Sequence, residues 1–184
     1  WRYPKFRPFI VARWEAYPMP VGLDVYQPAA AAEPGWRHTF EHYDIGGALI
    51  PIGRETDIRL AQALHVDPEW ALVAFDDNAA LFLARTSLNA ATIESHEYVL
   101  LWPLGGVFQW GDEHAATALS EAKRAASIYP DSIYAGLVLA RMSLVTGDYE
   151  AAVTAYDRLL ALPHMNFGEA IHRDREFALA QLGK

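Results

Sequence analysis

The chain has 184 residues, 52% of them apolar, and a net charge of −8, which is enough apolar material for one large domain or two small ones. Residues 1–88 carry 8 basic and 11 acidic groups and residues 89–184 carry 7 and 12, so neither half offers the clustered Lys/Arg that nucleic-acid binding requires. Cysteine is absent, which excludes disulfides, thiolate catalysis and Cys-based zinc sites and leaves the redox compartment open.

No apolar run approaches the roughly 20 residues that span a bilayer. The sequence starts at Trp1 rather than Met and shows no signal peptide, which points to a piece of a longer protein or a processed product. Trp1-Arg2-Tyr3-Pro4-Lys5-Phe6-Arg7 mixes rings and cations, a combination suited to a membrane surface. The plainer alternative is a solvated, partly packed terminus. Pro8 to Arg13 is the first strand candidate, followed by a loop containing Pro18 and Pro20. Asp24 to Ala32 reads as a helix with Pro28 near its start, broken by Pro34-Gly35, and Trp36 to Tyr43 as a short helix.

The next stretch gives the clearest pattern. Asp44 to Ile52 is an apolar run bounded by turn residues and predicts a buried strand. Thr56 is placed to cap a helix with Ile58, Leu60, Ala61 and Leu64 at helical spacing, and Asp67-Pro68 stops it. Trp70 to Phe75 and Ala79 to Arg85 flank Asp76-Asp77-Asn78, which predicts a β-hairpin. Both strands are apolar on both faces, so the expectation is a sheet covered by helices. Thr86 to Glu94 reads as a polar linker that closes an α/β domain over residues 1–88.

Residues 89–184 predict an all-α domain. His114 to Tyr129 places Ala118, Ala122 and Ala125 on one face; Ile133 to Val145 follows; Glu150 to Leu162 places Ala152, Tyr156 and Leu159 on one face and ends at Pro163. Gly147-Asp148-Tyr149, followed by Ala152 and Tyr156, resembles the tetratricopeptide repeat, in which small residues let two helices approach and Tyr fills the remaining gap. Asp131 to Pro163 spans close to one repeat. His96 to Pro130 is a degenerate earlier one, its first helix interrupted by Trp102-Pro103-Leu104-Gly105-Gly106, and Phe167 to Leu182 is a terminal cap. The expected fold class is therefore α+β or α/β: a small mixed sheet domain followed by a tetratricopeptide-like array of helical hairpins.

Arg7 to Tyr17, Glu33-Pro34-Gly35-Trp36, His42-Tyr43-Asp44-Ile45 and the run from Leu60 to Arg85 together resemble a second family. It is the soluble C-terminal region of bacterial polytopic membrane glycosyltransferases related to dolichyl-phosphate-mannose protein mannosyltransferases. The resemblance covers residues 1–86 and implies an extracytoplasmic, periplasmic, membrane-associated location. Val11-Ala12 stands where that family usually carries Asp-Gly before Arg13, so a role served by that Asp is lost here. The transferase chemistry of such proteins resides in a membrane-embedded part that this sequence does not contain.

Candidate chemistry is sparse. His38-Thr39-Phe40-Glu41-His42 matches H-x-x-E-H, in which two His one turn apart bind zinc and Glu polarises water. The helix is short and no third ligand is placed, so the expectation is no metal and surface histidines. Asp76-Asp77-Asn78 fits turn formation better than carboxylate chemistry. Gly46-Gly47 and Gly105-Gly106 match no phosphate loop. Trp102, Phe108 and Trp110 are the candidate partner-binding residues: exposed, they mark a protein contact, and buried, they join the two halves. No catalytic residue, cofactor or nucleic-acid partner is expected. The expected function is a non-catalytic scaffold or protein-interaction module serving as a structural subunit of a membrane complex. The alternatives are an accessory domain of a membrane glycosyltransferase and, more distantly, a zinc-dependent hydrolase.

Overall fold

A computed structural model describes residues 24–52, 55–103, 114–162 and 168–183. The Trp1–Arg7 segment, the strand expected at Pro8 to Arg13, the loop with Pro18 and Pro20, Gly105-Gly106, Phe108, Trp110 and Pro163 lie outside these residues, as does the Thr56 side chain.

Contacts divide the chain into two units, one comprising Trp1–Ala74 and Asn78–Glu97, the other Phe75–Asp77 and Tyr98–Lys184. The first is mixed α and β. It begins with α1 (Tyr26–Ala30) and α2 (Trp36–His42). Between them Gly35 has φ +99°, a left-handed conformation that Gly adopts without Cβ strain. Trp36 and Phe40, one turn apart on α2, are buried edge to face, and Phe40 meets Trp70 the same way.

Three strands follow: β1 (Gly47–Pro51), β2 (Trp70–Phe75) and β3 (Ala79–Ala84). They form one small sheet in the order β1-β3-β2. β1 and β3 run antiparallel, with Gly47 opposite Leu83, Leu49 opposite Leu81 and Pro51 opposite Ala79. The α3 helix (Glu55–Val66) joins β1 to β2 and packs against β1 and β3. Its Leu60, Ala61 and Leu64 are buried, as are Ala48, Ile50, Ala80 and Phe82 of the strands. On the opposite face Ala71, Val73, Leu81 and Leu83 pack with Ile93.

Ile93 belongs to α4 (Ala90–His96), which occupies part of the stretch expected to be a linker. The helix forms because Ile93 buries against the sheet, and because Asn89 spends its side-chain amide on the Gly46 and Ala84 carbonyls, 3.0 and 2.9 Å away. Arg85 then ties the end of β3 to both flanks, donating to the Pro68 carbonyl at 3.1 Å and to the Glu97 carboxylate. The expectation that both hairpin strands are buried on both faces holds for most of β2, whereas β3 alternates buried and half-buried residues and β1 alternates exposed and buried ones.

The second unit contains α5 (Ala115–Ile128), α6 (Ile133–Val145), α7 (Tyr149–Leu160) and α8 (Glu169–Leu182), and each packs on the next. Ala118, Ala122 and Ala125 on α5 are fully buried. So are Ala140 on α6, Ala152 on α7 and Ala178 on α8, whose cluster is completed by Ala155, Tyr156 and Leu159. Gly147, at φ +78°, turns α6 into α7, and Asp148 caps α7 by accepting from the Ala151 N–H at 3.2 Å. Glu169, His172, Arg173 and Glu176 are exposed, so α8 carries a polar outer surface.

Candidate functional site

Residues 98–103 form a non-helical segment laid along α5. Its course is set by one carboxylate. Glu121, 7% exposed, accepts from three successive backbone N–H groups: Val99 at 2.8 Å, Leu100 at 3.1 Å and Leu101 at 2.9 Å. Burying a carboxylate is costly unless hydrogen bonds replace its water, and three amides do so here. A carboxylate so engaged positions backbone; it is not disposed to act as a base on a substrate.

The segment delivers two rings. Tyr98 is 3% exposed; Phe75 meets it edge to face at 4.7 Å, and the Arg124 guanidinium lies over it at 4.1 Å. Burial pushes the Tyr98 phenol up, with the neighbouring Arg124 pulling the other way. Trp102 is 8% exposed, and its backbone N–H donates to the Tyr134 hydroxyl at 3.2 Å. Burial, the largest cause, holds Tyr134 at about 12. Of the three aromatics singled out in the sequence, Trp102 is therefore buried and not exposed. Phe108 and Trp110 lie outside the described residues.

A second polar group links α6, α7 and α8. Arg141 donates to Asp174 at 2.5 Å, and the Tyr156 hydroxyl lies 3.5 Å from the same oxygen. Tyr156 is raised to about 12, first by burial and then by the Asp174 charge. The pair joins helices distant in sequence and places no nucleophile beside a base.

His38 and His42 occupy α2 with both side chains exposed and ring centroids 6.2 Å apart; His42 also stands edge-on to Tyr43 at 4.8 Å. Among the described residues no group of three His, Asp or Glu side chains converges to hold a metal ion. Asp77 does more than form a turn. Its carboxylate accepts from the Ile133 and Tyr134 N–H groups at 2.7 and 3.1 Å and from the Ser132 hydroxyl at 2.9 Å, while Ser132 accepts from Ala135 N–H at 3.2 Å. The start of α6 is thus capped twice. Sequence reasoning missed both this role and that of Glu121, because neither partner is local. Asp67 is similarly engaged, accepting from Arg37 at 2.7 Å and from the Glu69 N–H at 3.0 Å.

One concave feature lies among α5, α6 and α7, lined by Pro130, Gly136, Leu139, Leu159 and Leu162 together with Arg158. Its volume is about 30 Å³. No helix among the described residues is long and apolar enough to cross a membrane.

No protein-family model, no curated protein and no solved structure matches the chain.

Proposed function

We propose that this chain is a non-catalytic scaffold: an extracytoplasmic protein-interaction module that serves as a structural subunit beside a membrane complex. The observation that carries this reading is the α5–α8 stack, where each helix packs on its sequence neighbour along a seam of small residues. Ala140 and Ala152 are both fully buried on neighbouring helices, Tyr156 is 2% exposed beside them, and Gly147 turns between the helices. These features support a tetratricopeptide-like array, an architecture whose extended surfaces recognise proteins without a cofactor. The carboxylates Asp77, Glu121 and Asp174 are all engaged in holding helices and backbone, which fits a structural role.

The placement beside a membrane rests on the glycosyltransferase-like pattern of residues 1–86. A second reading follows from the same pattern: an accessory domain of a membrane glycosyltransferase that helps handle the acceptor. It is favoured by the fact that Trp70–Phe75 and Ala79–Ala84, both within that pattern, form adjacent strands.

The test is cross-linking of the tagged chain in intact cells, followed by membrane solubilisation and capture. The expected result is specific recovery of subunits of a membrane complex. Phe108→Ala and Trp110→Ala should weaken recovery while circular dichroism and Tm stay unchanged. Recovery of no protein above background, or loss of fold together with recovery in both variants, overturns the binding assignment. Co-recovery of glycosyltransferase activity decides for the second reading.

A further inference from the structure

At Glu97 the chain leaves α4 in an extended conformation, with φ −57° and ψ 136°. Further on, Trp102 precedes Pro103, whose ring disfavours helix at the residue before it. Residues 98–102 therefore lie along α5 without a helical ladder, and their backbone N–H groups need partners from elsewhere. Four successive ones find them on side chains. Val99, Leu100 and Leu101 donate to the Glu121 carboxylate of α5, and Trp102 donates to the Tyr134 hydroxyl of α6, at 2.8 to 3.2 Å.

Rings complete this seat. Glu121 and Arg124 stand one turn apart on α5, so the carboxylate that holds the backbone and the guanidinium that lies 4.1 Å over Tyr98 serve the same segment. Phe75 meets Tyr98 edge to face and meets Tyr134 the same way at 5.6 Å. Tyr98, Leu101 and Trp102 are all buried, while Val99 among them is 65% exposed. The seat thus reads its occupant in two ways. It takes main-chain N–H groups, which any residue but Pro offers, and it buries two rings four residues apart. Main-chain bonds for affinity and side-chain pockets for specificity are the means by which extended peptides are recognised.

We propose that this seat is a peptide-binding site that the chain fills with its own Tyr98–Trp102 segment. Its ligand is an extended segment of a partner protein, with aromatic residues four apart, an apolar residue before the second and no Pro between them, which exchanges for the chain's own. Exchange and not simple opening is required, because an emptied seat leaves the buried Glu121 carboxylate without its three donors. The chain's own segment competes at an effective concentration on the order of millimolar, so the resting site is closed to weak ligands. The inference rests on the scaffold reading and deepens it by naming the kind of segment the helical unit takes.

The test uses the whole chain and a fluorescein-labelled peptide that copies residues 96–103. Leu100→Pro removes one of the donated N–H groups and should unseat the chain's own segment while leaving Glu121, Arg124 and Tyr134 in place. Fluorescence anisotropy should show this variant binding the peptide at least about tenfold more tightly than the parent does. Glu121→Gln added to the variant should weaken that binding by about tenfold or more, and the peptide carrying Pro in place of Leu100 should not bind. No binding to a Leu100→Pro chain that keeps its helical circular dichroism overturns the proposal, and so does equal binding of the two peptides. Where Leu100→Pro does not fold, the parent decides. With millimolar peptide the chain's own Val99, Leu100 and Leu101 amides should lose protection from hydrogen exchange while those of α5 and α6 keep theirs, and unchanged protection overturns the proposal. Dimerisation of the parent alone in sedimentation velocity, reversed by the peptide, assigns the seat to a second copy and equally overturns it. The anisotropy assay reads the seat alone, so its failure leaves the scaffold reading to the capture experiment.

Discussion

The carboxylate of Asp77 accepts a hydrogen bond from the backbone N–H of Ile133 at 2.7 Å, across 56 residues of chain. Two N–H groups at the start of α6 have no helical partner, and this one side chain satisfies both. Its charge also lies at the positive end of the helix. Asp77→Ala is therefore expected to lower stability by about 1–2 kcal/mol, the upper range for a cap, because Ser132 loses a partner as well. Asp77→Asn keeps one acceptor and should lose about half as much. Urea midpoints of the three proteins check this, and equal midpoints for Asp77→Ala and the parent would refute it.

Glu121 poses a sterner case. Replacing it by Ala leaves the Val99, Leu100 and Leu101 amides without acceptors, and Leu101 is fully buried. A loss of about 3 kcal/mol or more is expected, because a buried unmet donor costs about 1–3 kcal/mol. Glu121→Gln retains one acceptor oxygen and should recover part of it. The local readout is Trp102, next to the anchored amides: its emission should shift to the red in Glu121→Ala at a denaturant concentration where the rest of the chain remains folded.

How much of this was legible in the sequence depends on the range of each interaction. The β2–β3 hairpin and helices α5, α6 and α7 follow from local periodicity and turn chemistry, and their predicted bounds lie within a few residues of the observed ones. The α4 helix was not legible. Its only buried apolar residue is Ile93, and what fixes it is packing against Ala71 and Val73 of a strand about twenty residues earlier. The roles of Asp77 and Glu121 were hidden for a related reason: a carboxylate's partner more than 20 residues away leaves no periodic trace. Trp102 shows the converse limit. A large ring beside Pro103 in a broken pattern suits a surface anchor, yet Trp102 is only 8% exposed.

Acid should act on the sheet unit through His65. Burial lowers its pKa below the ordinary value of 6.5. In the unfolded chain it binds a proton near 6.5, whereas in the folded chain it does so only at lower pH. Between those two values the unfolded state holds more protons, so the His65 contribution to stability is complete above 6.5 and is lost as pH falls through the folded pKa. His65→Gln, which does not titrate, should flatten the fall in Tm between neutral and mildly acidic pH. An unchanged slope in the variant would show that other groups govern it.

Alkali should act on the helical unit in the opposite sense. Tyr134 and Tyr156 are both raised from 10 to about 12, first by burial. The unfolded chain releases these protons near 10 and the folded chain near 12, so their contribution is present below 10 and lost as pH rises through 12. Phenolate absorbance should show Tyr134 and Tyr156 ionising late and together with unfolding, with Tyr98, also raised by burial, above the ordinary range too. Tyr156→Phe should remove one of them and reduce the alkaline loss of stability.

The α6–α7 contact carries a compensation that can be broken and restored. A Cβ built on Gly136 would lie 2.8 Å from Leu159 Cδ2 and 3.3 Å from its Cγ, so the buried leucine would have to shift to admit it. The absence of a side chain at Gly136 is what lets Leu159 occupy the seam. In an isolated helix Gly→Ala stabilises by about 1 kcal/mol, whereas overpacking a core costs about 1–3 kcal/mol. The second effect wins at this site, and Gly136→Ala is expected to be net destabilising by about 1 kcal/mol. Leu159→Ala alone opens a cavity at a cost of about 2–5 kcal/mol. Combined, the new methyl enters the space the leucine has left, so the double variant should be more stable than the two single losses predict, by about 1 kcal/mol or more. A double-mutant cycle from urea unfolding measures this coupling. Additivity within error would mean that α6 and α7 do not meet at Gly136 and Leu159.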